Sequence, residues 1–220
     1  MIRKFVEKTL VIASHNRGKI PEIAELLKPY NIAVQSGVEF GLAEPEETGA
    51  TFDENARIKS RYFAEHTKLP SLADDSGLVV PALDGAPGIY SARWAGEKKD
   101  FGMAMRRIEQ ELGARGLAPE GQPAYFICVL SLTWPNGDTE SFEGRVDGTL
   151  TFPPRGEKGF GYDPIFIPQG YSITFAEMEP EKKHAISHRA AAFGKLVRDS
   201  VMPAKAGIQR VASATQKNLL

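Results

Sequence analysis

An apolar segment that carries two adjacent carboxylates, Leu72-Ala-Asp-Asp-Ser-Gly-Leu-Val-Val80, places the strictest limit on what this chain can fold into. Its apolar residues are typical of a buried strand. An unpaired carboxylate costs several kcal/mol to bury, so Asp74 and Asp75 each need a hydrogen bond, an ion pair or a metal ion. Because successive strand residues point to opposite faces, we expect the two carboxylates to serve different purposes. In a purely structural alternative, one caps the turn at Ser76-Gly77 and the other pairs with a lysine.

Strand and helix patterns alternate along the rest of the chain and predict an α/β or α+β fold built on one sheet. Asn136-Gly137 between two apolar runs is a strong hairpin signal, and Thr51-Phe-Asp-Glu54 matches the capping box of a helix. The predicted strands cover residues 10–13, 32–34, 72–80, 125–133, 139–146 and 165–167, and the predicted helices cover 20–27, 51–66, 101–112 and the segment after Ser187. We expect residues 1–200 to form a single domain of two lobes and residues 201–220 to form a C-terminal extension.

The charges of the chain nearly cancel, with 27 Lys and Arg residues against 28 Asp and Glu residues and a formal net charge of −1. A general polyanion binder or an acidic tail needs an excess of one sign, so no nucleic-acid partner is expected. Cys128 is the single cysteine, which excludes an internal disulfide and a cysteine-based metal cluster. No stretch approaches the ~18 apolar residues of a membrane span, and residues 1–8 are too charged for a signal peptide. We therefore expect a cytoplasmic protein that does not act at a membrane.

The segment Ser14-His-Asn-Arg-Gly-Lys19 joins a predicted strand to a predicted helix. Such a junction offers free backbone N–H groups and the positive end of a helix dipole, so phosphate is its natural ligand. The spacing is not that of a Walker A loop. A capped turn with exposed basic residues is the alternative. The candidate phosphate-binding residues are Ser14, His15, Asn16, Arg17, Gly18 and Lys19.

Carboxylates suited to Mg²⁺ occur in the acidic loop Glu46-Glu-Thr-Gly49 and at Asp75. Hard carboxylate oxygens beside a phosphate are the ligands that Mg²⁺ prefers. Lys59 lies four residues after Asn55 on the following helix, so the two side chains share a face. A lysine in such a position is usually just solvated, but here a carboxylate cluster precedes its helix and another follows it.

Two further segments suit the nucleoside part of a ligand. In Gly159-Phe-Gly-Tyr-Asp-Pro164, the glycines permit unusual backbone angles and leave Phe160 free to stack on a planar base. Alternatively, the aromatic residues of this loop fill the core. In Lys183-His-Ala-Ile-Ser-His-Arg189, Ser187 is a good N-cap that places the next two residues in the first helical turn. The helix dipole disfavours a charged histidine there, and an arginine needs an anion or an acceptor, although a surface His-Arg pair often binds nothing.

Taken in order, these segments resemble the non-canonical purine nucleoside triphosphate pyrophosphatases, also called dITP/XTP or inosine triphosphate pyrophosphatases. The resemblance spans about residues 9–199. It rests on Ser14-x-Asn-x-x-Lys19, Glu46-Glu-Thr-Gly49, Thr51-Phe-x-Glu-Asn-Ala-x-x-Lys59, Ala73-Asp-Asp-Ser-Gly77, Gly85-Ala-Pro-Gly-Ile-Tyr-Ser-Ala-Arg93, Gly159-Phe-Gly-Tyr-Asp-Pro164 and Ser187-His-Arg189. The resemblance implies that ITP, dITP and XTP are hydrolysed to the monophosphate and pyrophosphate by a Mg²⁺-dependent homodimer. It also implies an elongated mixed central sheet with a cleft between two lobes.

By the same resemblance, each motif takes one part of the reaction. Glu46 and Asp75 would bind Mg²⁺, and Asp75 would also be the base that accepts a proton from the attacking water. Residues 14–19 would hold the phosphates with help from Lys59 and Ser76. The nucleoside pocket would be lined by Phe160, Gly161, Tyr162, Asp163, Lys183, His188 and Arg189. The last two would donate hydrogen bonds to the purine 6-carbonyl, where adenine carries an amine instead.

Two other functions stay open at this point. A non-catalytic nucleotide sensor would use the same cleft but would lack a metal-binding acid, whereas Glu46, Asp74 and Asp75 are all present. A Maf-like pyrophosphatase would act on other nucleotides, and the segments Gly159–Pro164 and Ser187–Arg189 disfavour it.

Overall fold

Six strands form one mixed sheet in the computed structural model, which describes residues 3–16 and 18–200. The strands are β1 Thr9–Ile12, β2 Ala33–Ser36, β3 Ser71–Val79, β4 Pro123–Thr133, β5 Thr139–Leu150 and β6 Phe166–Pro168. Their order across the sheet is β2-β1-β3-β4-β5-β6. β1 pairs in parallel with β2 and β3, and every pair from β3 to β6 is antiparallel. The predicted α/β fold on a mixed central sheet is confirmed.

The described residues also form six α-helices. They are α1 Lys19–Leu27, α2 Phe52–Thr67, α3 Ser91–Trp94, α4 Phe101–Ala114, α5 Pro180–Ile186 and α6 His188–Ser200. The sequence pattern does not predict α3 or α5, because each is too short to show helical spacing of apolar residues. None of the helices in the described ranges is long and apolar enough to cross a membrane. Arg17 and the predicted extension 201–220 lie outside the described residues, and the division of residues 1–200 into two lobes stays a prediction.

Local sequence signals begin and connect these elements much as predicted. Thr51 caps α2, since its Oγ1 accepts a hydrogen bond from the backbone N of Glu54 at 3.1 Å. The reciprocal half of the capping box is displaced by one residue, because Glu54 Oε2 accepts from the backbone N of Ala50 at 2.6 Å. The hairpin between β4 and β5 turns at Gly137, where φ is +92°, and Thr133 pairs with Thr139.

Alternate side chains of β3 point to opposite faces of the sheet, and the two faces are packed against different helices. On one face, Leu72 belongs to a cluster that contains Ile23 of α1 and Phe193 of α6. On the other face, Ala73 packs against Phe63 of α2. The next two residues of β3 continue this alternation, so the adjacent carboxylates enter different surroundings.

Candidate active site

Asp74 is a buried anchor for cationic side chains from two helices. Its Oδ1 lies 2.5 Å from Nζ of Lys19, and its Oδ2 accepts a hydrogen bond from Nε of Arg189 at 2.8 Å. Ser76 Oγ donates to Oδ1 at 2.9 Å, and Cys128 Sγ donates to Oδ2 at 3.0 Å. Burial would raise the pKa of Asp74, but Arg189 and Lys19 outweigh it and hold the pKa well below its usual value. Asp74 is therefore ionised, and both its oxygens are satisfied by the protein.

Asp75 faces α2, where fewer donors surround it. Nζ of Lys59 lies 3.0 Å from Oδ1 of Asp75 and 2.6 Å from Oε1 of Glu47. Oδ2 of Asp75 is buried and has no hydrogen-bond partner among the described residues. Burial raises the pKa of Asp75, and the positive charges of Lys59 and Lys19 offset this only in part. Asp75 thus keeps an oxygen that the protein does not satisfy.

The acidic loop before α2 is held by contacts to its backbone. Arg93 donates from a terminal guanidinium nitrogen to the carbonyl oxygen of Glu47 at 2.7 Å, and the backbone N of Gly49 donates to Oδ1 of Asn55 at 2.8 Å. Burial would raise the pKa of Glu47, but Lys59 outweighs it and lowers the pKa. Glu46 is exposed at the cavity described below. The loop therefore offers one carboxylate engaged with a lysine and one that faces solvent.

The predicted phosphate loop is ordered by its own side chains. Oδ1 of Asn16 accepts from the backbone N of Gly18 at 2.9 Å, and Oγ of Ser14 accepts from the backbone N of Asn16 at 3.1 Å. His15 hydrogen-bonds through Nε2 to a backbone carbonyl at 3.0 Å. A Cβ added at Gly18 would lie 3.1 Å from the Phe160 ring, so this loop and the aromatic loop are in close contact.

The loop of residues 159–163 is held by Asp163. Oδ2 of Asp163 accepts from the backbone N of Phe160 at 2.8 Å and lies 2.7 Å from Nζ of Lys183. Gly159 has φ +75°, and a Cβ there would lie 2.1 Å from the same Oδ2, so the position requires glycine. Tyr162 is buried and donates from its hydroxyl to a backbone carbonyl at 2.8 Å, whereas Phe160 is only partly buried. One aromatic ring therefore fills the core, and the other lines the cavity described below.

The first turn of α6 carries a neutral histidine beside a charged arginine. Ser187 caps this helix as predicted, since its Oγ accepts from the backbone N of residue 190 at 3.1 Å. The ring of His188 stacks on Phe126 at a centroid distance of 5.0 Å and an interplanar angle of 13°. Burial, and then Arg189, hold the pKa of His188 well below its usual value. The buried Nδ1 of His188 has no partner within the described part of the chain. Glu22 of α1 accepts a hydrogen bond from a terminal nitrogen of Arg189.

These segments together line one open cavity of about 930 Å³. Every predicted site residue that the structure describes lies in its wall, and Arg17 falls outside the described residues. The predicted residues in the wall are Ser14, His15, Asn16, Gly18, Lys19, Glu46, Lys59, Asp75, Ser76, Phe160, Gly161, Tyr162, Asp163, Lys183, His188 and Arg189. Segments that are far apart in sequence thus build a single site.

Most of the chain, residues 10–199, matches the Ham1 family. The chain belongs to this family. A protein of Rhodospirillum centenum named dITP/XTP pyrophosphatase is 60% identical to this Ham1 protein, over 89% of this chain and 96% of the relative. A protein of the same name from Agrobacterium fabrum is 51% identical, over 89% and 97%. The solved structure of a HAM1 protein from Coxiella burnetii matches with a TM-score of 0.79 and 40% identity, over 86% of this chain and 96% of that one. The resemblance identified from the ordered motifs is confirmed.

Several groups in or beside the site of this Ham1 protein escape a motif-based prediction. Arg93 lies inside a motif whose spacing does not show that it reaches the cavity. Glu47 lies in the acidic loop predicted to supply carboxylates for Mg²⁺, but its contact with Lys59 is not predicted. Phe126 lies in an ordinary apolar strand, so nothing in the sequence marks it as a wall of the site. Glu22 follows the phosphate loop by three residues, and only its ion pairs with Lys183 and Arg189 show that it joins α1 to the nucleoside end.

Proposed function

We propose that this Ham1 protein hydrolyses dITP, ITP and XTP to the nucleoside monophosphate and pyrophosphate. One observation carries the proposal: a single cavity is lined both by hydrogen-bonding groups suited to a purine base and by lysines and carboxylates suited to a metal-bound triphosphate. The names of its relatives support the same activity. Removing such nucleotides would keep deaminated purines out of DNA and RNA.

The base end offers donors that are already oriented. A guanidinium has five N–H groups, and Arg189 uses its Nε–H for Asp74, one terminal N–H for Glu22 and one for Ser76. Two of its N–H groups have no acceptor among the described residues, while the rest of the side chain is held in place. His188 is neutral and has a ring nitrogen without a partner among the described residues. A purine 6-carbonyl would satisfy such donors, whereas the adenine amine would leave them unpaired at a cost of a few kcal/mol.

The triphosphate end fits Mg²⁺. Oδ2 of Asp75 is a buried carboxylate oxygen without a partner in the described ranges, and Glu46 faces the same cavity. Mg²⁺ is usually held by one or two carboxylates together with substrate phosphates and water. That mode suits this wall, in which Asp75 and Glu46 face the same cavity. Glu46 and Asp75 would hold the ion, which would stabilise the negative charge that develops on the phosphate oxygens.

Asp75 is the proposed base for the attacking water. Its pKa is raised by burial, which brings its basicity closer to what a general base needs. As the water oxygen bonds to the α-phosphorus, its proton passes to Asp75 and the bond from the α-phosphorus to the bridging oxygen breaks, which releases pyrophosphate. Lys19 and Lys59 would stabilise the phosphate oxygens, and Phe160 would stack on the base.

The proposal also covers the oligomeric state, location and partners of the protein. We infer from the resemblance a homodimer that works in the cytoplasm without a nucleic-acid or membrane partner. Light scattering of the purified protein tests the dimer, and a mass of one chain would contradict it.

Pyrophosphate release from ITP, dITP, XTP, GTP and ATP in the presence of Mg²⁺ tests the activity. We expect fast release from the first three and slow release from ATP, whose 6-amine cannot accept the hydrogen bonds that a 6-carbonyl accepts. Comparable turnover of ATP, or release of single phosphates, would overturn the proposal. Preference for another nucleotide class would favour a Maf-like enzyme, and tight ITP binding without turnover would favour a sensor.

A further inference from the structure

Helix α6 approaches strand β5 unusually closely at Gly144. A Cβ added to Gly144 would lie 2.1 Å from the carbonyl oxygen of His188 and 2.2 Å from the backbone N of Ala192, whereas real Cβ atoms essentially never come within 3.0 Å of such atoms. The φ of Gly144 lies outside the range that favours glycine. The position therefore requires glycine for space, because the backbone of α6 rests directly on the strand.

The sheet surface under this contact also holds the side chains of the base end. Gly144 pairs with Cys128 of β4, whose thiol donates to Asp74, the partner of Arg189. Phe126, two residues earlier on β4 and on the same face, stacks on the His188 ring. One patch of β4 and β5 thus fixes both the backbone and the side chains of the first turn of α6.

We propose that Gly144 is a positioning residue. By letting α6 rest directly on β5, it sets where His188 and Arg189 lie in the cavity wall, and thereby the preference for a 6-carbonyl purine. This inference rests on the proposed function. The contacted atoms of α6 belong to the backbone, so no side-chain rotation can relieve a clash with a Cβ. The helix must instead move away from β5 by roughly 1 Å to reach a tolerable separation.

Such a shift has different consequences for different bases. Hydrogen bonds weaken steeply when the distance or angle departs from the optimum. ITP would lose hydrogen bonds at its 6-carbonyl, whereas ATP has no such bonds to lose. We expect Gly144→Ala to lower the ratio of kcat/KM for ITP to that for ATP by about tenfold, the effect of losing one such hydrogen bond.

The ratio of kcat/KM for ITP to that for ATP distinguishes a positioning effect from a simple loss of folded protein. Both substrates are measured on one preparation, so an inactive fraction cancels. Gly37→Ala is the matched control, because a Cβ there would lie 2.4 Å from the Phe63 ring, in the packing between α2 and the sheet and away from α6. Gly37→Ala should lower stability and leave the ratio at its wild-type value. An equal fall of the ratio in both variants would overturn the inference.

A second variant reaches the same interface from the helix. Ala192 is fully buried between α6 and the sheet, and Ala192→Val adds bulk at this interface while Gly144 itself stays glycine. It should lower the ratio in the same direction, and it carries the test if Gly144→Ala does not fold. A wild-type ratio in either folded variant overturns the inference. If the wild-type protein itself hydrolyses ATP as well as ITP, it is the proposed function that fails.

Discussion

The two adjacent carboxylates of β3 show how one residue type acquires two roles in one site. Asp74 is surrounded by Lys19, Arg189, a hydroxyl and a thiol, and its pKa is held well below the usual value. Asp75 has one lysine contact, an oxygen without a partner in the described part of the chain, and a raised pKa. A carboxylate saturated with donors contributes to structure. A carboxylate with an unsatisfied oxygen is available for chemistry.

The largest effect on activity is expected from Asp75→Asn. Asparagine has nearly the same shape but cannot accept the proton of the attacking water, so kcat for ITP should fall by about a thousandfold, within the range of general-base effects. Calorimetry should show that ITP still binds. Asp147→Asn is the control, because Asp147 is an exposed carboxylate paired with Arg145 on β5. Full activity of Asp75→Asn would show that Asp75 takes no part in the mechanism. The two carboxylates would then not differ in the way proposed, with Asp74 structural and Asp75 catalytic.

The largest effect on stability is expected from Asp74→Asn. The change leaves Arg189 and Lys19 without their buried counter-ion, which costs about 3–5 kcal/mol for a buried ion pair. Urea unfolding measures this loss. Because the pKa of Asp74 is lowered in the folded state, its stabilisation is present above the unfolded-state pKa of about 3.9 and is lost as pH falls below it. The difference between wild type and variant should therefore shrink in acid.

Asp138→Asn provides the contrast for this second prediction. Asp138 also accepts from an arginine, Arg3, but it is exposed and solvent screens the pair. We expect no comparable loss of stability. Equal losses from the two substitutions would mean that the surroundings of Asp74 are not what stabilises the fold.

The separation of the two carboxylates follows from strand alternation, which is a local property that the sequence shows. Their partners do not follow from local patterns. Arg189 and Glu22 are 167 residues apart along the chain, and they meet only because α1 and α6 pack on the same face. The acidic loop has no periodicity, so its sequence could not show that Glu47 would contact Lys59 while Glu46 stays exposed. Motifs were therefore enough to predict which residues line one cavity, but not which of them pair with each other.

A smaller effect is expected on the pH profile of Lys59→Met. The positive charge of Lys59 lowers the pKa of Asp75 against the effect of burial, so its removal raises that pKa further. The base must be ionised to act, and the acid limb of kcat/KM for ITP should move to higher pH. Lys28→Met, at an exposed lysine paired with Glu25, is the control and should keep the wild-type profile. An unchanged limb in Lys59→Met would show that Asp75 is not the group that titrates.

The smallest effect is expected from Cys128→Ala, which removes one neutral donor from Asp74. Burial and Asp74 hold the pKa of the Cys128 thiol well above its usual value, so it stays protonated and donates. Its loss should cost about 1–2 kcal/mol in urea unfolding, less than Asp74→Asn, because both cations remain. Cys128 does not line the cavity, and Lys19 and Arg189 still hold Asp74, so kcat for ITP should fall far less than in Asp75→Asn. Cys128→Ser keeps a donor and should lose less. If Cys128→Ala lowered the free energy of unfolding as much as Asp74→Asn does, the stabilising effect of Asp74 would depend on the thiol rather than on the two cations.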